Sequence, residues 1–449
     1  MNRDKLLAGL ASGLLLLLIG CAAGTKEPKA DVARQLESFL EEKMIKVWYP
    51  RSLDTLYGGF LSDFEHDWRP STKQHKMIVT QARHLWALSK IAEYYPDNPS
   101  YKKYADHGFD FLKNVMWDKE YGGFHTLRTR DGKMSDTLGY GNEKRTYGNA
   151  FAIYALATYA NMSKSEEALD LAKETYHWIE EHAYDPELNG YFQYLVQNGD
   201  PFHKTQHRSV AADSIRFPYK DQNTTIHLME AYSKLFRTWP NDTLRRKLDN
   251  LLVLVRDTIT TEKGTMNLFF HPNWKPVWGN GTKEQPYALD HVSYGHDIET
   301  AFLMLDAAEA LGKPNDPKTL EVAQKMVNHS MAHGLDSKSG GMVQKGYYIN
   351  GVPTQVDTTK NWWSQAEALN SLLLFDRLYP NSGYRDQFDA LWSYVDQNFL
   401  DHEHGGWYEK GIDAEPEFQW AKKAHIWKGP YHTVRGMLLC MDRLKEEPQ

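Results

Sequence analysis

"YGGF" at residues 57–60 returns unchanged at 121–124. Weaker copies of the turn follow as Asn189-Gly190-Tyr191-Phe192, Gly264-Thr265-Met266, Gly340-Gly341-Met342 and Gly405-Gly406-Trp407. Measured between residues 58, 122, 189, 264, 340 and 405, the successive spacings are 64, 67, 75, 76 and 65. Six units of similar length mark a repeat architecture, in which no unit buries its apolar surface alone.

Between the turns the pattern is helical and of two kinds. Leu244, Leu248, Leu251 and Val255 fall at i, i+4, i+7 and i+11, with Arg245, Arg246 and Lys247 on the other face. That is a one-sided surface helix, and segments 32–48, 101–117, 165–182, 242–258, 316–333 and 383–399 share the pattern. Segments 82–95, 148–160, 224–239, 296–311, 363–378 and 431–444 are apolar on most sides, as helices buried between layers are. Each unit is thus an outer helix, a glycine turn with at most a short strand, and an inner helix. The pattern predicts an all-α fold, an (α/α)6 barrel of six helical hairpins, in one domain over 32–449.

The 449 residues are 41% hydrophobic and 13% aromatic, enough for a large core. A net charge of -7 with no basic block argues against a nucleic-acid partner. With 14 Trp and 26 Tyr, flat apolar faces for pyranose rings are abundant. Arg3 and Lys5 precede an apolar run over 6–19, and Leu18-Ile19-Gly20-Cys21 resembles a bacterial lipobox. The expectation is a lipoprotein signal peptide over 1–20, lipidation at Cys21, and a tether over 21–31. Ala22 rather than an acidic residue follows Cys21, which favours an outer-membrane anchor facing the periplasm, with the lipid as the sole membrane contact. Cys440 is the only other cysteine, so neither an intramolecular disulfide nor a cysteine-based metal site is possible in the mature chain. No nucleotide-binding glycine loop follows a strand and no compact His/carboxylate cluster is evident, so neither cofactor nor metal is expected. Nothing in the pattern sets an oligomeric state.

If all hairpins share one orientation, six inner-helix starts meet at one mouth, and their unpaired N–H groups and dipoles favour anions there. The first turns at that mouth are unusually polar: Gln81 and Arg83; Lys144, Tyr147 and Asn149; Asn223 and His227; His296, Asp297 and Glu299; Trp362, Trp363, Gln365 and Glu367; Trp427, Lys428, His432 and Arg435. A lone histidine on an apolar helix is usually core, but His227, His296 and His432 stand at the same end of different inner helices. That coincidence points to proton transfer near neutral pH. Glu299, three residues after His296 on the same face, is placed to orient its imidazole or bond a substrate hydroxyl. Asp297 fits a helix-start carboxylate as well as a ligand, while Glu230 and Glu367 also fit structural hydrogen-bond partners. A base, an acid and a positive mouth suit abstraction of a proton α to a carbonyl, with an enediolate to stabilise. They suit glycoside hydrolysis less, since that needs two carboxylates flanking the bond, for which Asp297 and Glu367 are the available candidates.

The set "QARHLWALS", "KRTYGNAFAIYAL", "NTTIHLMEAYSKLFRTWP", "SYGHDIETAFLMLDAAEALG", "WWSQAEALNSLLLFDRLYP" and "WKGPYHTVR" resembles the N-acylglucosamine 2-epimerase superfamily, nearest to its cellobiose and mannobiose 2-epimerases. The likeness runs in consistent order from about residue 40 to 444. The resemblance implies a cofactor-independent sugar isomerase that opens the reducing-end sugar, removes the C2 proton and returns it to the other face. It makes His296 and His432 the acid/base pair, leaves open which of them takes the C2 proton, and adds His227 as a third functional histidine. It assigns Arg83, Tyr147, Asn223 and Glu299 to the reducing-end sugar and Trp363 and Trp427 to aromatic platforms, with Glu367 beside them in the substrate site. Thr433 and Thr225 depart from the usual Asn and His, which bears on substrate identity more than reaction class. An aldose–ketose isomerase of the mannose type is the alternative, and an (α/α)6 glycoside hydrolase a more distant one.

Overall fold

Backbone conformation explains the turns. A computed structural model describes residues 29–445 apart from 136, 137, 139, 142, 206–215, 217 and 280. In it the glycine pairs 58/59, 122/123, 340/341 and 405/406 all have φ between 65° and 84°. Two successive left-handed residues are costly for any side chain except glycine or asparagine, and Asn189 takes the first place in the third turn at φ 61°. At Gly341 a Cβ would also lie 2.2 Å from the Tyr394 ring.

The turn carries an aspartate as well, at Asp54, Asp118, Asp185, Asp336 and Asp401. One carboxylate oxygen accepts the N–H two residues on, from Leu56 at 3.2 Å, Glu120 at 2.9 Å, Glu187 at 3.1 Å, Lys338 at 2.9 Å and Glu403 at 2.9 Å. The other oxygen takes a buried lysine that lies ahead of the inner helix in the chain: Lys76, Lys144, Lys220, Lys360 and Lys423 respectively. A polar residue in the inner helix's first turn grips the same turn. Gln81 bonds the Phe60 backbone at both N–H and carbonyl, Asn149 accepts from Phe124, Gln365 holds both groups of Met342, and Asp297 accepts the Met266 N–H at 2.9 Å.

The helices alternate as expected. The outer ones are α1 (Lys29–Phe39, carried on by a π-helical turn at Leu40–Ile45 and by Lys46–Trp48), α3 (Pro99–Phe111), α5 (Glu166–His182), α7 (Asp242–Leu254), α9 (Pro317–Gly334) and α11 (Tyr384–Asn398). The inner ones are α2 (Ile78–Tyr94), α4 (Thr146–Ser163), α6 (Gln222–Thr238), α8 (Tyr294–Ala310), α10 (Trp362–Leu378) and α12 (Tyr431–Lys445). Each inner helix packs on the next, and α12 packs on both α2 and α1, which closes the ring. Four short antiparallel strand pairs sit among the described residues at the ends of the helices. The signal peptide and Cys21 lie outside the described residues, whereas 29–31 of the expected tether already belong to α1. No helix among the described residues is long and apolar enough to cross a membrane.

One expectation about the mouth changes. Outer helices are capped by side chains such as Asn98, Ser165, Asn241 and Asp316, but α2, α4, α8 and α10 have no side-chain cap. The first N–H groups of the inner helices are not all free, however. Ile78 donates to the Thr126 carbonyl at 3.0 Å, Thr146 to Gln193 at 3.1 Å, Gln222 to Leu268 at 2.9 Å and Trp362 to Glu409 at 3.1 Å. Each of these acceptors lies in the following unit, so the helix starts are stitched around the ring.

Candidate active site

The candidate residues converge on the mouth. Arg83 of α2, 5% exposed, donates to the Tyr147 hydroxyl of α4 at 3.0 Å and to the Trp427 carbonyl at 3.5 Å, and its guanidinium lies 4.3 Å over the Phe151 ring. The Tyr147 ring makes edge contact with His227 of α6 at 5.3 Å. On the α8 and α12 side, Trp363 of α10 has His296 at 4.6 Å and His432 at 5.8 Å, ring to ring. Both histidines therefore share one aromatic neighbour.

Each histidine is anchored through Nδ1. His227 bonds Glu230 at 2.8 Å, His432 bonds Glu367 at 2.7 Å and His296 bonds the Ser293 hydroxyl at 2.7 Å. The Nε2 side is left to meet a substrate. Burial pulls the His296 imidazole down to about 3, and burial together with the Arg83 charge holds His432 well below its ordinary value. Both are neutral near pH 7, the form that accepts a proton.

Beneath them Arg435, 1% exposed, ties three buried carboxylates together. It bonds Glu230 and Glu299, reaches Glu367 at 2.7 Å, and bonds the Tyr431 hydroxyl. Tyr431 itself donates to Glu230 at 2.6 Å. Burial and the neighbouring Glu367 charge push Glu299 up to about 7, and burial also raises Glu367. Glu230 is held at about 2, the guanidinium and His227 outweighing its burial. Oxygen and nitrogen ligands of Glu299, Glu367 and His432 lie within 4.8 Å of one another, a compact His/carboxylate cluster that sequence reading did not find. Its composition would suit a cation, and Arg435 supplies the positive charge there.

Three of these contacts revise expectations. Glu299 does not orient His296: Ser293 does, and Glu299 turns to Arg435, with its oxygen 4.0 Å from His432. A buried guanidinium is a stronger partner for a carboxylate than a neutral imidazole. Asp297 is neither helix cap nor ligand, because its carboxylate serves the preceding glycine turn. Lys144, Gln81, Asn149 and Gln365 belong to the same turn clamps. Glu230, read from sequence as fitting a structural hydrogen-bond partner, and Arg435, placed at the mouth without a role, are the hub; the i,i+3 spacing of His227 and Glu230 was the available signal. Four polar atoms at the site have no hydrogen-bond partner: Arg83 Nε, Asn223 Oδ1, Glu367 Oε2 and Arg435 Nε. Trp427, 40% exposed, stands at the rim.

A closed helical barrel with two neutral histidines, an arginine and aromatic platforms at one mouth fits a sugar isomerase better than a hydrolase built on a facing carboxylate pair. Residues 58–435 match the model of the N-acylglucosamine 2-epimerase (GlcNAc 2-epimerase) family, and the chain belongs to that family. It is 27% identical over 419 residues to the cellobiose 2-epimerase of Bacteroides fragilis, covering 92% of this chain and 98% of that protein. The structure of cellobiose 2-epimerase from Bacillus thermoamylovorans superposes with a TM-score of 0.80 at 25% identity, over 92% of this chain and all of that one. The D-mannose isomerase of Marinomonas mediterranea is 23% identical over 93% of this chain and 98% of its own length.

Proposed function

We propose that the protein epimerises C2 of the reducing-end sugar of a disaccharide such as cellobiose or mannobiose. The observation that carries this reading is the pair of Nδ1-anchored, neutral imidazoles, His296 and His432, in contact with one tryptophan. Once the ring opens, one imidazole accepts the C2 proton and the C–H electrons move to the C1 carbonyl, giving an enediolate. Arg83, with its unpartnered Nε–H and its bond to Tyr147, is the group for that oxyanion. Asn223 Oδ1 is free to accept a sugar hydroxyl. Return of a proton to the opposite face of C2 completes the exchange with no net redox change. Trp363 and the rim residue Trp427 offer two successive aromatic faces, which favours a disaccharide over a single sugar.

Incubating the protein in D2O with cellobiose, mannobiose and mannose, followed by NMR, tests the reading. An epimer carrying deuterium at C2 is the expected product. A ketose would transfer the assignment to the mannose-isomerase alternative, and free monosaccharides released from the disaccharides would overturn it in favour of hydrolysis.

We further propose that the chain works in the periplasm, held at the outer membrane by acylation of Cys21. Cys21→Ser should then move the protein from the membrane fraction to the soluble periplasmic fraction.

A further inference from the structure

The barrel has a second opening into its interior. At the end opposite the mouth, the later turns of α2, α4, α6, α8 and α12 enclose a cavity of about 380 Å³, near the lower end of the roughly 300–1,000 Å³ common for small-molecule sites. Trp86 and Tyr154, stacked at 5.7 Å, form an aromatic wall. Its floor is Arg435 and Glu230, the hub beneath the mouth. Arg435 is 1% exposed and its Nε has no hydrogen-bond partner. Lys234 also lines the cavity, and its ammonium has no hydrogen bond or salt bridge among the described residues. The other charged side chains near it are matched: Arg237 with Asp306 at 3.0 Å and Lys90 with Glu93 at 2.6 Å. Lys90, Lys234, Arg237 and Arg435 face Glu93, Glu230, Asp306 and Asp442 across the lining, so the two signs balance. Phe302, Asp306, Leu439 and Asp442 also border a larger cavity of about 1100 Å³, an approach to the chamber.

We infer that this far-end chamber is a second carbohydrate site, taking one neutral monosaccharide whose C–H face lies against the Trp86–Tyr154 wall and whose hydroxyls meet Lys234 above the Arg435–Glu230 floor. A balanced lining gives no field to hold an ion, but it offers donors and acceptors to a polyhydroxylated neutral molecule. The volume is ample for one pyranose ring. Because Glu230 anchors His227 and Arg435 anchors Glu367, a sugar here bears on the histidines from behind. That coupling rests on the proposed reaction; the binding does not.

Methyl NMR on protein labelled at leucine, titrated with D-mannose, reads the chamber directly through Leu303, Leu438 and Leu439. Saturable shifts of these resonances are expected in the wild type and in Trp363→Ala, which alters only the mouth. Lys234→Met should weaken them about tenfold or more, and Leu439→Trp, which fills the chamber from its partly exposed wall, should abolish them while thermal unfolding confirms the fold. Unmoved resonances in the wild type, or unchanged affinity in Lys234→Met, would overturn the inference whether or not the protein epimerises any sugar. Where turnover is measurable, mannose should lower kcat in the wild type and not in Leu439→Trp; inhibition that only raises KM in both would sink the coupling.

Discussion

A histidine acts as a base only if its ring is held in place and uncharged, and the surroundings of His432 supply both conditions. Glu367, fully buried, fixes Nδ1 at 2.7 Å and is itself fixed by Arg435. Glu367→Gln keeps the shape of this contact and removes its charge, so kcat should fall roughly 10²–10⁴-fold with little change in KM; a loss confined to KM would show that Glu367 only binds sugar. His84 is a histidine of the other kind. It is fully buried, stacked on Phe60 at 4.5 Å and bonded to Tyr49 at 2.9 Å, and burial holds it at about 3. Its folded value lies below its unfolded value of 6.5, so between those limits the unfolded chain takes up a proton that the native chain refuses. The stability His84 contributes is intact above pH 6.5 and is lost as pH falls toward 3, at about 1.4 kcal/mol per pH unit. Denaturant unfolding across that window should show a shallower pH slope in His84→Gln than in wild type; equal slopes would count against it. Sequence reading separated these two kinds by position, since three histidines at helix starts stood out. It could not assign Glu299, because the His227–Glu230 and His296–Glu299 spacings are identical and only the barrel decides that Glu230 keeps its histidine while Glu299 does not, although both reach Arg435.

At the level of elements, the aspartate–lysine pairs fix where five of the six inner helices begin, and so where their first-turn side chains point. Lys220 Nζ donates to Asp185 at 2.7 Å and to the Asn189 and Pro272 carbonyls, two residues ahead of α6 and three ahead of Asn223. Lys220→Met strands a buried carboxylate and should cost about 3–5 kcal/mol. Asp185 also accepts the Glu187 and Leu188 N–H groups, so removing it opens the turn as well. The double variant Lys220→Met/Asp185→Leu should therefore remain destabilised, and full recovery in chemical denaturation would show that the pair is a simple ion pair. The helices were legible from period and the turns from their glycines. The aspartate was visible too, at one offset in five of the six turns. Its partner was not, because 22 residues separate the pair in the first unit and 35 in the third, and no fixed spacing betrays it.

In the whole molecule, the order of units around the ring is sequential, and α1 completes the layer over α12, so the first and last described helices meet on the barrel wall. Lys445 of α12 reaches Glu37 of α1 at 3.3 Å. The repeat predicted six hairpins and hence a closed ring. It could not show that α1 covers the last inner helix, since that contact joins residues at opposite ends of the sequence. Outer helices enter and inner helices leave at the far end, so the links between units lie there and the glycine turns within units lie at the mouth. A ring of this kind has no privileged starting point. Joining residue 445 to 29 through a flexible linker and opening the chain at Lys313, between α8 and α9, cuts a far-end connection and leaves every mouth contact intact. Gly312 beside it has a φ of 74° and open space around it. This permutant should keep the native circular dichroism, a single unfolding transition and most of its turnover. Opening instead at Gly351, in the mouth hairpin of Lys345–Ile349 and Val352–Asp357, releases the segment that leads into α10 and its Trp363 and Glu367. That permutant should fold but lose turnover far more than stability. Equal activity in the two would mean that the mouth connections do not set the positions of the catalytic side chains.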